Sequence, residues 1–296
     1  MANQAGAANT WTESRSDAMG GTGVAAGNYG SAVLINPALL AKAKPDDDVT
    51  VILPSIGAQI SDKDNLRDKI DDISDDVSKY RSTLDNINFV DLFIPTSPAS
   101  RNVSSAAGDL ANQLDSLKGK TASGKAGAGI AVSIPNDVLS VAFVAKANAR
   151  ARVSSYIDQG DIDTLRGIEA VPATALAVTP NDLKSKGFGR AAIVSDYGVA
   201  VARQFDISGV PVSVGITPKL QKTWLYNYTV SIYNFDSGDI NSSRYRNDDT
   251  GFNVDAGLAA DLGDNWTVGL TGQNLFSRDI DTKKVDGVRD TYQSVL

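Results

Sequence analysis

The alternation of apolar and polar positions is clearest between Ala126 and Val153, where a strand, the turn Pro135-Asn136-Asp137 and a second, longer strand follow one another. In the return strand Val141, Phe143, Ala145, Ala147, Ala149, Ala151 and Val153 alternate with Ala142, Val144, Lys146, Asn148, Arg150 and Arg152, so every charge falls on one parity. Successive strand side chains point to opposite faces, which makes one face dry and the other wet. A strand in a soluble sandwich is usually about five or six residues long, whereas one crossing an outer membrane at a tilt needs about nine to eleven. The length here is of the second kind. Mid-strand Lys and Arg are costly toward lipid but ordinary toward a water-filled lumen. The pattern therefore predicts a mainly β chain, an antiparallel outer-membrane-type β-barrel, with the basic residues Lys146, Arg150 and Arg152 facing the lumen. Four of the dry positions are Ala, which would suit the core of a soluble sandwich nearly as well.

The same alternation continues downstream. Tyr197, Val199 and Val201 oppose Asp196, Gly198, Ala200 and Ala202, and Val212, Val214 and Ile216 oppose Ser213, Gly215 and Thr217. Trp224, Tyr226, Tyr228, Val230 and Ile232 line one face, with the aromatics placed as an interfacial girdle. Phe252 to Leu262 repeats the pattern, Gly263-Asp264-Asn265 turns the chain, and Trp266, Val268 and Leu270 continue it. Upstream, Val49 to Ile60 reads as the first strand, and Pro54 within it implies an edge position or a bulge.

Between residues 61 and 122 the period changes. Leu66, Ile70, Ile73, Val77, Tyr80 and Leu84 are spaced by fours and threes, an amphipathic helix over 62–85. Leu110, Leu114 and Leu117 mark a second helix over 103–118, and the short apolar stretch Phe89 to Ile94 lies between them. Two readings fit: a helical hairpin whose seams pack on each other, or a coiled coil that docks a partner.

Connection lengths alternate. Pro135-Asn136-Asp137, Ile207-Ser208-Gly209 and Gly263-Asp264-Asn265 are tight, while roughly 158–188 and 236–249 are long and polar. Outer-membrane barrels have short periplasmic turns and long extracellular loops, so the helical insert falls outside the cell. Seven strands are countable, an odd number. Asp290 to Leu296 reads as the start of another strand, so the chain is expected to be a C-terminally truncated fragment whose barrel has not closed.

Composition narrows the chemistry. The chain of 296 residues has no Cys and no His, which excludes thiol nucleophiles, His-ligated zinc and every His-based triad. No cofactor or metal site is expected. Lys plus Arg number 28 against 35 acidic residues, a balance that argues against nucleic acid as a partner. No run approaches the roughly 18 to 20 apolar residues of a spanning helix, so membrane residence would require a closed sheet. The opening Met1-Ala2-Asn3-Gln4 is not a signal peptide, which fits either a mature, re-started sequence or a protein that stays in the cytoplasm.

Near the N-terminus, Gly21, Gly23 and Ala26 match a G-x-G-x-x-A pattern, but the polar residues before it lack the strand that a dinucleotide fingerprint requires. The glycines read better as allowing close backbone approach in a compact loop. Asn36 can cap a short helix with Pro37 at its first position, ending near Lys44-Pro45. The order Ser14-Arg15-Ser16-Asp17-Ala18-Met19-Gly20-Gly21-Thr22-Gly23-Val24-Ala25, followed by Asn36-Pro37-Ala38-Leu39-Leu40, resembles the N-terminal region of FadL-like long-chain fatty-acid transporter barrels. Within that group it is most similar to the outer-membrane TraF-type conjugal transfer proteins. The resemblance implies a plug folded into the lumen, carried by Gly20, Gly21, Gly23, Asn36, Pro37 and Ala38. It also implies two units, a tail and plug over 1–48 and a barrel over 49–296 containing the insert.

Three functions follow as expectations. The first is a non-enzymatic bacterial outer-membrane barrel tied to conjugal transfer, with outer-membrane lipid and conjugation-machinery proteins as partners. The second is FadL-like passage of hydrophobic small molecules. The third is a soluble, surface-exposed β-rich adhesin whose dry faces meet as two sheets.

Overall fold

The computed structural model describes residues 23–25, 27–44, 47–179, 182–234, 242–263 and 265–294. Seven antiparallel strands form one curled sheet in sequence order, a half-barrel. They are β1 (Thr50–Ser61), β2 (Thr121–Ile134), β3 (Ser140–Tyr156), β4 (Lys186–Ile207), β5 (Val210–Ser231), β6 (Arg246–Leu262) and β7 (Trp266–Gly272). β1 and β7 are its edges. The register of β1 against β2 slips between Ile52 and Ser55, which places Pro54, unable to donate a ladder hydrogen bond, at an irregularity on an edge strand.

The tight connections β2–β3, β4–β5 and β6–β7 all lie at one end of the sheet. Ser208 (φ 56°) and Gly209 (φ 82°) make the two-residue β4–β5 turn, where Asp206 Oδ1 accepts from the Gly209 amide at 2.8 Å. The opposite end carries the long connections. The long, polar connection over 158–188 contains a helix and a 3-10 turn that its composition did not announce.

Three helices build a cap at that end: α2 (Leu66–Asp85), α3 (Pro98–Leu117) and α4 (Gln159–Ala170). A single turn, α1 (Tyr29–Ala32), precedes them in the chain. Ser97 caps α3 by accepting from the Ser100 amide at 3.0 Å, with Pro98 at the first helical position, so α3 begins five residues before the expected start at residue 103. Asp158 caps α4 by accepting from Gly160 N at 2.8 Å. The shared core holds Leu66, Ile73 and Val77 of α2, Leu110, Leu114 and Leu117 of α3, and Ile162, Leu165 and Ile168 of α4, with Ile70 packed at its margin. The hairpin reading therefore holds with one addition, α4, whose apolar residues complete the seam. No described helix is long and apolar enough to cross a membrane.

The C-terminal segment does not extend the sheet. β8 (Arg278–Asp281) pairs with β9 (Thr291–Ser294) as a separate hairpin. Asn253 and Asn227 hold this region by side chain: Asn253 bonds the backbone of Phe276 in both senses (3.0 and 3.1 Å), and Asn227 Nδ2 donates to Lys283 O and Val288 O (2.8 and 3.0 Å).

Candidate functional site

The parity of the strands divides the sheet into two chemically opposite faces. On the convex face the register aligns Ile130, Ala145, Tyr197, Leu220 and Phe252 in one row across β2 to β6. Further apolar rows follow toward the tight turns, through Ile134, Val141, Val201 and Ile216, and then Phe205, Val212, Ala260 and Val268. Tyr197, Leu220 and Phe252 are each more than half exposed, at 57, 58 and 53 %. No second sheet covers them among the described residues. From Tyr197 to Ile207 the belt runs about 33 Å along the strand at ~3.3 Å per residue, or about 25 Å along the sheet axis at a tilt of roughly 40°. One basic residue lies on this belt among the described residues. It is Arg203, four positions from the turn end of β4, with its guanidinium 5.4 Å over the Phe205 ring. Of the expected girdle, Trp224 is half-buried beside Lys222 Nζ at 5.0 Å, but Tyr228 is buried edge-on against Tyr245, so it does not belong to an exposed aromatic ring of residues.

The concave face is covered in two places. At the tight-turn end, the described part of the N-terminal segment lies against β1 to β7. Asn36 Oδ1 caps the 3-10 helix Pro37–Lys42 by accepting from Ala38 N at 3.0 Å, while its Nδ2 donates to Val24 O (2.6 Å) and to Leu258 O of β6 (3.1 Å). Glycines make this approach possible. Gly215 and Gly257 are direct cross-strand partners on β5 and β6. A Cβ on Gly215 would collide with the Pro37 backbone, one on Gly257 with Asn36 Oδ1, and one on Gly269 with Val24 O. Thr271 and Gln273 donate to Ile35 O at 3.1 and 3.0 Å, and Lys42 pairs with Asp261. At the other end, the β8–β9 hairpin lies over β4 to β6, held by ion pairs of Arg278 with Asp249 and Arg190 with Asp290, and of Lys186 with Asp286 at 2.5 Å.

Between the two, four buried charges from four strands meet. Lys219 Nζ lies 2.8 Å from Asp196 Oδ2 and 2.7 Å from Asp255 Oδ1, and Lys146 Nζ lies 3.2 Å from Asp255 Oδ2 and 3.9 Å from Asp196 Oδ2. Gln221 Nε2 donates to Asp196 Oδ1 (2.9 Å) and to Asn274 Oδ1 (3.0 Å), and the Asn274 amide donates to Asp255 Oδ1 (2.8 Å). Two cations against two anions make the cluster neutral, and each carboxylate has several donors, the condition under which buried charge is tolerated. Among the described residues no three His, Cys, Asp or Glu side chains gather to hold a metal.

The structure therefore separates the three basic residues singled out on β3. Lys146 is buried and neutralised, which corrects its expected place before open water, whereas Arg150 and Arg152 are exposed on the same face. Of the six N-terminal motif residues, Asn36, Pro37 and Ala38 are fully buried against the sheet and Gly23 is buried, while Gly20 and Gly21 lie outside the described residues. Sequence reasoning missed Asp196 and Asp255 as partners of Lys146, and Lys219 as the second cation that shares them. All sit on the wet parity of their strands, but only the register between strands brings them together.

No curated protein and no solved structure matches the chain. One family does, the F plasmid transfer operon TraF protein family, over residues 33–294, which takes in the seated segment from Val33 onward, the whole sheet, the helical cap and the C-terminal hairpin. With both faces and their fillings inside that match, the chain belongs to the F plasmid transfer operon TraF protein family.

Proposed function

We propose that this chain builds the wall of a bacterial outer-membrane β-barrel and serves conjugal transfer without catalysing a reaction. The observation that carries the membrane reading is the convex belt. Its exposed apolar rows span about 25 Å, the height of the lipid-facing band of outer-membrane barrels, and its opposite face carries the Lys146, Asp196, Lys219 and Asp255 cluster beside the small residues that seat the N-terminal segment. The family match supports the conjugation-related role. In this reading residues 23–44 act as a plug seated on the lumenal wall at the periplasmic end, and the helical cap stands outside the cell. On the cap, between α2 and α3, Phe89, Val90, Phe93 and Ile94 are exposed and available to conjugation-machinery proteins.

The test is fractionation. The protein should stay with outer membranes through carbonate and urea washes and migrate faster on gels before boiling than after. Recovery in the soluble fraction without detergent would instead favour the adhesin.

A second reading, passage of hydrophobic small molecules, draws support from the glycine-seated segment across the concave face, because a removable obstruction is what a passage needs. Deleting residues 23–44 would raise permeability to hydrophobic solutes under this reading and leave it unchanged if the protein only scaffolds conjugation.

A further inference from the structure

On the concave face, β2 and β3 carry cations that no carboxylate among the described residues neutralises. Lys125 of β2 lies directly opposite Arg150 of β3, and Arg152 of β3 lies directly opposite Arg190 of β4. Directly opposed side chains on one face have Cβ atoms about 4.5–5.5 Å apart, and like charges there are destabilising. Arg150 and Arg152, two positions apart on β3, share that face and are neighbours along the strand. The fold therefore holds two like-charged cross-strand pairs side by side.

Their surroundings make the arrangement unusual within this molecule. Arg190 has Asp290 and three oxygen acceptors, from Gly189, Tyr228 and Thr229. Farther along the same face, Lys146 and Lys219 are matched one for one by Asp196 and Asp255. Lys125, Arg150 and Arg152 have no carboxylate within ion-pairing distance among the described residues, and all three are exposed. The β8–β9 hairpin covers β4 to β6 and leaves the cations of β2 and β3 exposed beside it on the same face.

We propose that Lys125, Arg150 and Arg152 form a binding site for a small water-borne oxyanion of the phosphate type. Two guanidinium forks and an ammonium supply the charge-assisted donors that a phosphate's several oxygens accept, and a doubly charged anion relieves both like-charge pairs at once. This site stands on the concave geometry and does not depend on the membrane reading.

The experiment uses the full chain and inorganic phosphate as the probe. Melting temperature is followed against sodium phosphate, sodium chloride and sodium acetate at matched ionic strength, with phosphate affinity measured by calorimetric titration. Phosphate should raise the melting temperature saturably beyond chloride. Arg150→Gln and Arg152→Gln should each weaken phosphate about tenfold or more, the loss of one charge-assisted contact. In chloride alone the double variant should melt no lower than the parent, because it removes repulsion. Lys79→Gln, on the helical cap, should leave the phosphate response unchanged.

Equal stabilisation by chloride and phosphate would mean screening only and overturn the proposal. So would a double variant that melts lower in chloride, which would show that the arginines already have partners within the protein. Acetate matching phosphate would overturn the preference for a multiply charged oxyanion.

Discussion

At the residue scale, two kinds of side chain carry the concave face: those that are absent and those that are charged. Gly215 and Gly257 leave room for the Asn36-Pro37 turn, so Gly257→Val should push that turn off the sheet. The expected cost is about 1–3 kcal/mol, the usual range for overpacking, and it is checked by chemical denaturation, with protease sensitivity appearing selectively around residues 23–44. Unchanged stability and protection would show that the seat is loose. Lys219 is the better shielded of the two lysines, with a side chain 1 % exposed and both carboxylates within 2.8 Å. Lys219→Ala would strand two buried carboxylates against Lys146 alone, and a loss of about 3–5 kcal/mol is expected. A Lys219→Ala, Asp196→Ala double variant restores neutrality, and it should recover part of that loss in the same denaturation experiment.

At the element scale, α4 links the cap to the sheet through one buried carboxylate. Asp161 accepts from the amides of Lys184 (3.0 Å to each oxygen) and Ser185 (2.7 Å), just before β4 begins, and Tyr233 OH donates to it at 3.5 Å. Asp161→Ala leaves those amides without partners and should cost about 1–3 kcal/mol, with hydrogen exchange rising first at residues 184–186. On α2, Asp76 is held above the ordinary carboxylate value of 3.8 by burial first and then by Asp109, Asp72 and Asp75. A carboxyl whose folded pKa is raised stabilises the fold below that pKa and loses the contribution as pH rises through it. Asp76→Asn should therefore unfold at a higher temperature than the parent at pH 7, and the gap should close below about pH 4.

The sequence made most of these elements visible because period and parity are local properties. Leu66, Ile70, Ile73 and Val77 announce α2, and the charges of β3 fall on one side. The apolar residues of α4, Ile162, Leu165 and Ile168, are few and lie inside a polar stretch, so the helix is recognisable only once its packing partners on α3 are known. The Lys146 network was illegible for a different reason: Asp196, Lys219 and Asp255 are tens of residues apart, and nothing local sets the register between their strands. The C-terminal strand is legible in the composition of β9, but its pairing with β8 and not with the main sheet is not, because the asparagines that hold the hairpin on the concave face lie far upstream.

At the scale of the whole molecule, the proposed function rests on a single assignment of faces: convex toward lipid, concave toward water. The chain contains no cysteine, so one introduced thiol reports one position without background. Leu220→Cys places a probe on the convex belt and Ser123→Cys places one on the concave face, where Ser123 is exposed and paired across from Arg152. With a nitroxide on each, in protein reconstituted into bilayers, collisional relaxation by oxygen and by a water-soluble nickel chelate measures the two environments directly. The Leu220→Cys label should be accessible to oxygen and shielded from nickel, and the Ser123→Cys label should be accessible to nickel. Nickel access at Leu220→Cys, in protein that remains bound to the bilayer, would contradict the assignment and with it the barrel.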